Sequence, residues 1–135
     1  MYTNILVPVS FDEERDAKRA IDVARRLAAT DARITLLHVI EQLPTYALTS
    51  AATGYLEEAR RTVTQELEAL ASGIENCASV VVEGHAAREI LEYTRDHGSD
   101  CIVVASHRPG MQDYFLGSTA AHVVRHAGCS VHVVR

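Results

Sequence analysis

Cys101-Ile102-Val103-Val104-Ala105, running on through Ser106-His107-Arg108-Pro109-Gly110 and, six residues later, into Gly117-Ser118-Thr119-Ala120-Ala121, decides how this chain folds. The first five residues are a continuous apolar run of strand length. Such runs belong to strands buried on both faces, and so to parallel sheets. A polar loop follows, and it delivers Gly117-Ser118-Thr119 to the start of a helical pattern. Free backbone N–H groups, hydroxyls and the positive end of a helix dipole meet there, which makes an anion site. Arg108 adds a guanidinium suited to phosphate. Taken alone, Ser118 reads equally as a helix N-cap worth ~1 kcal/mol, with Gly117 permitting the turn. Ser106, His107 and Arg108 tip the reading toward phosphate, because they gather donors at one strand end.

Four more apolar runs have strand length: Asn4–Val9, Arg33–Ile40, Ala78–Val82 and Ser130–Val134. Between the five lie four helical patterns. Ala17, Ala20, Ile21, Ala24, Leu27 and Ala28 form the first stripe, behind the acidic Asp12, Glu13 and Glu14. Leu56, Ala59, Val63, Leu67 and Leu70 form the second, which Gly73 ends. Ala87, Ile90, Leu91 and Thr94 form the third, with Gly98 beyond it. Ala120, Val123, Val124 and Ala127 form the fourth, with Gly128 as the expected C-cap. The order β-α-β-α-β-α-β-α-β predicts an α/β fold, a doubly wound parallel sheet with helices on both faces. Ligands of such folds bind beyond the carboxyl ends of the strands, near the switch in strand order. Glu41 to Gly54 reads as one long irregular segment at that edge, placed to cover a site or simply a loop.

The 135 residues fit a single domain, 1–135, with a real core. With 47% hydrophobic and 23% charged residues the composition is that of a soluble globular protein. A net charge of −5 argues against nucleic acid as a partner. No apolar run reaches the ~18–20 residues of a membrane span. The N-terminus enters a strand pattern at once, with no basic region or cleavage site, so a cytoplasmic location is expected. Cys77, Cys101 and Cys129 are widely spaced and form no C-x-x-C, which reads as reduced thiols.

The familiar catalytic motifs are missing. There is no P-loop lysine, no G-x-G-x-x-G after the first strand and no G-x-S-x-G elbow. A phospho-receiver reading fails where Glu83-Gly84 follows the third strand. His122 and His126 stand one helical turn apart, but the glutamate of H-E-x-x-H is absent, so they read as a solvated helix face. His38, inside an apolar strand, reads as a core or edge histidine.

With these residues in view, the chain resembles the universal stress protein family. The likeness runs nearly end to end, through Ile5-Leu6-Val7-Pro8-Val9, Leu37-His38-Val39 and Glu83-Gly84. It is most specific at Ala105-Ser106-His107-Arg108-Pro109, Tyr114-Phe115-Leu116-Gly117-Ser118, Val124-Arg125-His126-Ala127 and the Cys129–Arg135 tail, a combination similar to the F/G-type branch. The resemblance implies an open five-stranded sheet of order 3-2-1-4-5, Rossmann-like and akin to the adenine-nucleotide alpha-hydrolase group. It implies a cytoplasmic stress-response module that binds an adenine nucleotide, ATP first and AMP or ADP otherwise. Pro8 and Val9 would flank the base, Val39 would offer it backbone hydrogen bonds, and Gly84 would let the ribose approach. Val104, Ala105, Ser106, His107 and Arg108 would line sugar and phosphates, and Gly117, Ser118 and Thr119 would hold the phosphates.

The chain departs from the family's G-x-x-G-x9-G-[ST] motif in three places. Ala105 and Arg108 replace the first two glycines. Only the eight residues Pro109 to Leu116 separate Arg108 from Gly117. Ser10 stands where the family usually has an aspartate near the ribose or metal, which weakens a magnesium-dependent reading. No arrangement of base, water-positioning group and metal carboxylates matches an efficient NTPase. Slow hydrolysis or self-phosphorylation at Ser118 is the most an enzyme reading supports. The alternative from another class is a nucleotide-free interaction protein acting through a dimer surface. The last strand, Val131-His132-Val133-Val134, falls at a sheet edge in the implied order, so a homodimer through it is expected, open to extension to a tetramer.

Overall fold

The computed structural model describes residues 1–11, 14–41, 50–106 and 116–135, with 14–16 and 50–52 as backbone only. Each apolar run forms a strand: β1 Tyr2–Pro8, β2 Ala28–Ile40, β3 Cys77–Glu83, β4 Cys101–Ala105 and β5 Ser130–Val134. The helices are α1 Glu14–Leu27, α2 Ser50–Ser72, α3 Ala86–His97 and α4 Ser118–His126. The strands make one parallel sheet of order β3-β2-β1-β4-β5.

The pleat explains why the strand sequences are continuously apolar. Ile5 and Val7 of β1, Ile34 and Leu36 of β2, and Cys101 and Val103 of β4 point to one face, against Ala17, Ala20, Ile21 and Ala24 of α1 and Leu67 and Ala71 of α2. Leu6, Leu37, Ile102 and Val104 point to the other, against Ile90 of α3 and Ala120 and Val123 of α4. Alternate side chains of one strand therefore enter two separate cores. Alanines of α1 recur at 17, 20 and 24 on that face, which lets the helix lie close on the sheet.

Several boundaries differ from the expectation. β2 begins at Ala28, not Arg33, so Ala28 belongs to the strand and not to the α1 stripe. The added stretch is irregular: Tyr2 pairs with Ala28 but Asn4 with Arg33, and Asp31 takes φ 64°. A short polar side chain tolerates that conformation, so the pattern breaks without ending the strand. The segment from Glu41 to Gly54 is not all irregular, because α2 starts at Ser50; residues 42–49 lie outside the described part. Gly98 does stop α3, at φ 67°, with its N–H donating to Thr94 O. Gly128 is not the C-cap of α4. Ala127 is, in extended conformation, and its N–H donates to Val123 O. The chain leaves α4 straight toward β5, so no left-handed turn is needed.

The end of the sheet away from the site is held by Asp100. Its carboxylate accepts from Thr3 N at 2.8 Å, Thr3 Oγ1 at 3.1 Å and Asn4 N at 3.0 Å, and its own N–H donates to Asn4 O at 2.9 Å. Burial opposes ionisation here, but the hydrogen bonds from Thr3 and Asn4 outweigh it and hold the carboxyl below its usual range. The folded pKa is depressed, so this contribution is complete above the unfolded value of about 3.9 and fades as pH falls through the folded one. Asp100→Ala should cost about 1 kcal/mol at neutral pH, discounted for exposure, and the gap to wild type should narrow in urea melts as pH falls below the unfolded value.

Candidate functional site

The sheet order creates the site. β1 and β4 lie side by side, but the chain leaves β1 toward β2 and leaves β4 toward β5, so a crevice opens above their carboxyl ends. A cavity of about 560 Å³ occupies it. Pro8, Val9 and Ser10 form its floor from β1, and Val104, Ala105 and Ser106 from β4. Leu37, His38 and Val39 of β2 form one side, Ala86 and Ile90 of α3 another. Gly117, Ser118, Thr119 and Ala120 bring the first turn of α4 to its edge.

Ten residues expected at the site thus line one cavity: Pro8, Val9, Ser10, Val39, Val104, Ala105, Ser106, Gly117, Ser118 and Thr119. His107 and Arg108 lie outside the described residues. Gly84 is not among the lining residues. It is buried at φ 149°, its N–H donates to Ile40 O, and a Cβ there would strike the Glu89 side chain at 2.5 Å. A side chain at this φ is strained, so the backbone alone accounts for the glycine.

Backbone polarity along β2 gives the cavity one ready pair of groups. Leu37 O accepts from Val9 N at 2.8 Å, so the polar groups of Leu37 face β1. Those of Val39, two residues on, face the same way, and β1 has ended at Pro8. The Val39 N–H and C=O therefore face the crevice above that end. Those of Ile40 turn to the opposite edge, where its C=O accepts from Gly84 N.

His38 was not foreseen as a wall residue. Its Nδ1 lies 2.7 Å from Val9 O, a carbonyl that can only accept, so Nδ1 carries a proton and donates. Its ring rests against Phe11, centroids 5.0 Å apart and tilted 54°. The two rings make an aromatic patch in the wall. Phe11, Glu41, Val63 and Ile90 also join the cavity, and no sequence motif marks them, because they converge only through the sheet and the α2 and α3 crossings.

The start of α4 departs from the simplest reading. Ser118 is not the N-cap but the first helical residue. Gly117 is the cap, it offers no side-chain hydrogen bond, and its φ is −59° and ψ 154°. Any residue adopts that conformation, and a Cβ on Gly117 would meet only Ser106 O, at an ordinary 3.6 Å. The turn therefore does not require glycine; what the glycine keeps free is cavity space. The first intrahelical bond runs from Ala121 N to Gly117 O at 2.8 Å, so the N–H groups of Ser118, Thr119 and Ala120 have no intrahelical partner. Ser106 is committed elsewhere: its N–H donates to Val134 O at 3.0 Å and its hydroxyl to the same oxygen at 3.3 Å.

The thiols take no part. Burial pushes Cys77 and Cys101 up to about 11, with Cys129 and Asp100 adding to the effect at Cys101, and Cys129 is raised by burial and by Asp100. All three are free. Arg60 and Glu83 form an exposed ion pair between α2 and the end of β3.

An open parallel sheet with a polar-rimmed crevice at its switch point, and a helix without a side-chain cap at the rim, defines a Rossmann-like α/β domain. Against the model of the universal stress protein family the match spans residues 1–135, and the chain belongs to that family. It is 35% identical to universal stress protein A homolog 2 of Coxiella burnetii over 99% of this chain and 95% of that one. To universal stress protein G of Escherichia coli O157:H7 it is 29% identical over the whole of both. The structure of UspA from Lactobacillus plantarum superposes with a TM-score of 0.74 at 29% identity, covering 99% of this chain and 98% of that one. Two further structures share the fold at lower identity: a universal stress protein in complex with cAMP, at 24% and TM-score 0.64 over 99% and 97% of the two chains, and one from Arabidopsis thaliana with AMP bound, at 19% and TM-score 0.67 over 98% and 90%.

The cap assignment is testable. Ser118→Ala should leave stability within about 0.5 kcal/mol of wild type, because no cap bond is lost. Ser106→Ala should cost about 1 kcal/mol through the bond to Val134. Chemical denaturation of the two variants checks the order.

Proposed function

We propose that the crevice binds an adenine nucleotide, with ATP as the first candidate, and that the protein works as a nucleotide-responsive module. The observation that carries this reading is the start of α4. Three N–H groups without intrahelical partners, a glycine the backbone does not need and two hydroxyls stand at the edge of a 560 Å³ cavity. That volume lies within the roughly 300–1,000 Å³ of small-molecule sites. Phosphate would sit against Gly117, Ser118 and Thr119, held by the free N–H groups and the helix dipole. Adenine would hydrogen-bond the Val39 backbone and pack on Pro8 and Val9, with the Phe11–His38 patch nearby. The cAMP and AMP complexes of two fold neighbours support the nucleotide class.

Arg108 would grip the phosphates in place of a glycine's backbone contact. Magnesium finds little support: Glu41 is the one carboxylate among the described lining residues, and Ser10 occupies the expected acidic position. The same shortage argues for slow hydrolysis at most.

A homodimer through β5 belongs to the same reading. Among the described residues β5 pairs with β4 alone, so its outer edge presents N–H and C=O groups without a strand partner there. Val131 and Val133 are half-buried and His132 is exposed, so these would meet across a two-fold axis. Val134 is already buried within its own chain and would contribute backbone alone.

Calorimetry with ATP and adenosine tests the site. Gly117→Val should fold normally and lose ATP binding by at least about tenfold, since the side chain fills the phosphate space. Arg108→Ala should weaken ATP more than adenosine, because only ATP carries the charge. Unchanged ATP affinity in folded Gly117→Val would refute the phosphate assignment. For the edge, Val133→Pro should shift light scattering from dimer toward monomer; a wild type that is monomeric at micromolar concentration would refute the pairing.

A further inference from the structure

Three histidines at the α3–α4 junction have no role in the cavity. His122 and His126 lie one turn apart on α4, and both are exposed. Their ring centroids are 4.5 Å apart and their planes tilted by 43°. His85, the residue before α3, turns its ring edge-on to His122 with centroids 6.5 Å apart. We propose that His122 and His126 form a chelating site for a divalent transition-metal ion that prefers imidazole, such as Zn2+ or Ni2+, with His85, at the N-cap of α3, as an auxiliary ligand.

Residues four apart share one helix face, and two histidines so placed can reach one ion. With nitrogen–metal bonds of about 2.0–2.1 Å, two imidazoles on one ion bring their centroids roughly 4.5–5 Å apart. The pair already stands at that separation. Neutral imidazole suits zinc and nickel and not magnesium or calcium, which take oxygen ligands. Among the described residues no three ligating groups surround one point, so the site is open, with water filling the remaining positions. His85 is the weaker partner for a stated reason. Its Nδ1 accepts from Arg88 N at 3.4 Å and caps α3, and rotation toward His122 gives up that bond. The thiols do not compete, because burial holds all three above their usual range and the thiolate is the ligand form. Arg88 and Arg125 stand nearby in sequence and oppose a cation, while the chain's net charge of −5 favours one. An ion held there would tie the start of α3 to α4, the two helices whose first turns line the cavity. The site does not depend on what the cavity binds.

The test is calorimetric titration of the full-length protein, stripped of metal and nucleotide, with zinc chloride. Wild type should bind one ion per chain. His122→Ala and His126→Ala should each weaken Zn2+ by about tenfold or more, and His85→Ala by less, about threefold. Zn2+ should raise the Tm of wild type and leave that of the double variant His122→Ala/His126→Ala unmoved. All three side chains are exposed, so the variants should fold, which circular dichroism checks. Should an alanine variant unfold, His122→Gln and His126→Gln replace it. Undiminished Zn2+ affinity in the double variant would place the ion elsewhere and overturn the proposal, as would a wild type that takes up no zinc at submillimolar concentration. A loss in His85→Ala as large as in the α4 variants would overturn the division of roles.

Discussion

The contact between β1 and β4 is the constraint on which the rest depends. These two central strands carry side chains buried on both faces, and Ile5, Leu6, Ile102 and Val103 are fully excluded from water. Each such side chain contributes on the order of 1.5–3 kcal/mol relative to exposure. Their adjacency also forces the topology. The chain moves outward through β2 and β3 on one side, then crosses back to build β4 and β5 on the other. Right-handed crossovers put α1 and α2 on one face and α3 and α4 on the opposite one. The crevice is what remains where the two halves diverge. A site at this place costs no extra structure, because the core that stabilises the fold also opens it.

The polar groups at the crevice are mostly backbone. Val39 turns an amide and a carbonyl past the end of β1, and α4 begins without a capping side chain. Backbone groups are fixed by the sheet and the helix, so they cost little ordering entropy when a ligand arrives. Side chains that could have served are spent on holding the walls: Ser106 binds Val134, and His38 binds Val9. The cavity is preorganised by the same bonds that close the strand ends. No buried side-chain nitrogen or oxygen among the described residues lacks a partner, so the polarity that faces the cavity is not a packing defect.

The two ends of the sheet divide the labour. The amino end is locked by Asp100, whose carboxylate accepts from three donors of Thr3 and Asn4 in β1. The carboxyl end is where strands stop early, loops leave and glycine appears. Asymmetry of this kind is general in parallel α/β folds, where connections at one end carry stability and those at the other carry function. The two glycines differ accordingly: a Cβ on Gly117 would make only an ordinary contact with Ser106 O, whereas Gly84 answers a strained backbone and the Glu89 side chain.

What the sequence determined by itself was the element order and the place of Gly117-Ser118-Thr119 at the cavity edge. Apolar runs without alternation announce strands buried twice, and helical stripes between them announce crossovers, because these periods follow from local backbone geometry. β4 and β5 match their expected bounds residue for residue, since Gly98-Ser99-Asp100 precede the one and Gly128 precedes the other. Gly117-Ser118-Thr119 was legible because a strand, a polar loop and a helix start are consecutive in the chain. Tertiary structure alone decided which residue capped α4, why Gly117 need not be glycine, and that Ser106 is committed to Val134. It also decided that Gly84 stays out of the cavity wall, and that Phe11, His38, Val63 and Ile90 join it. Those features depend on which strands lie side by side and how helices cross them. Contacts between residues far apart in sequence leave no period and no motif to read.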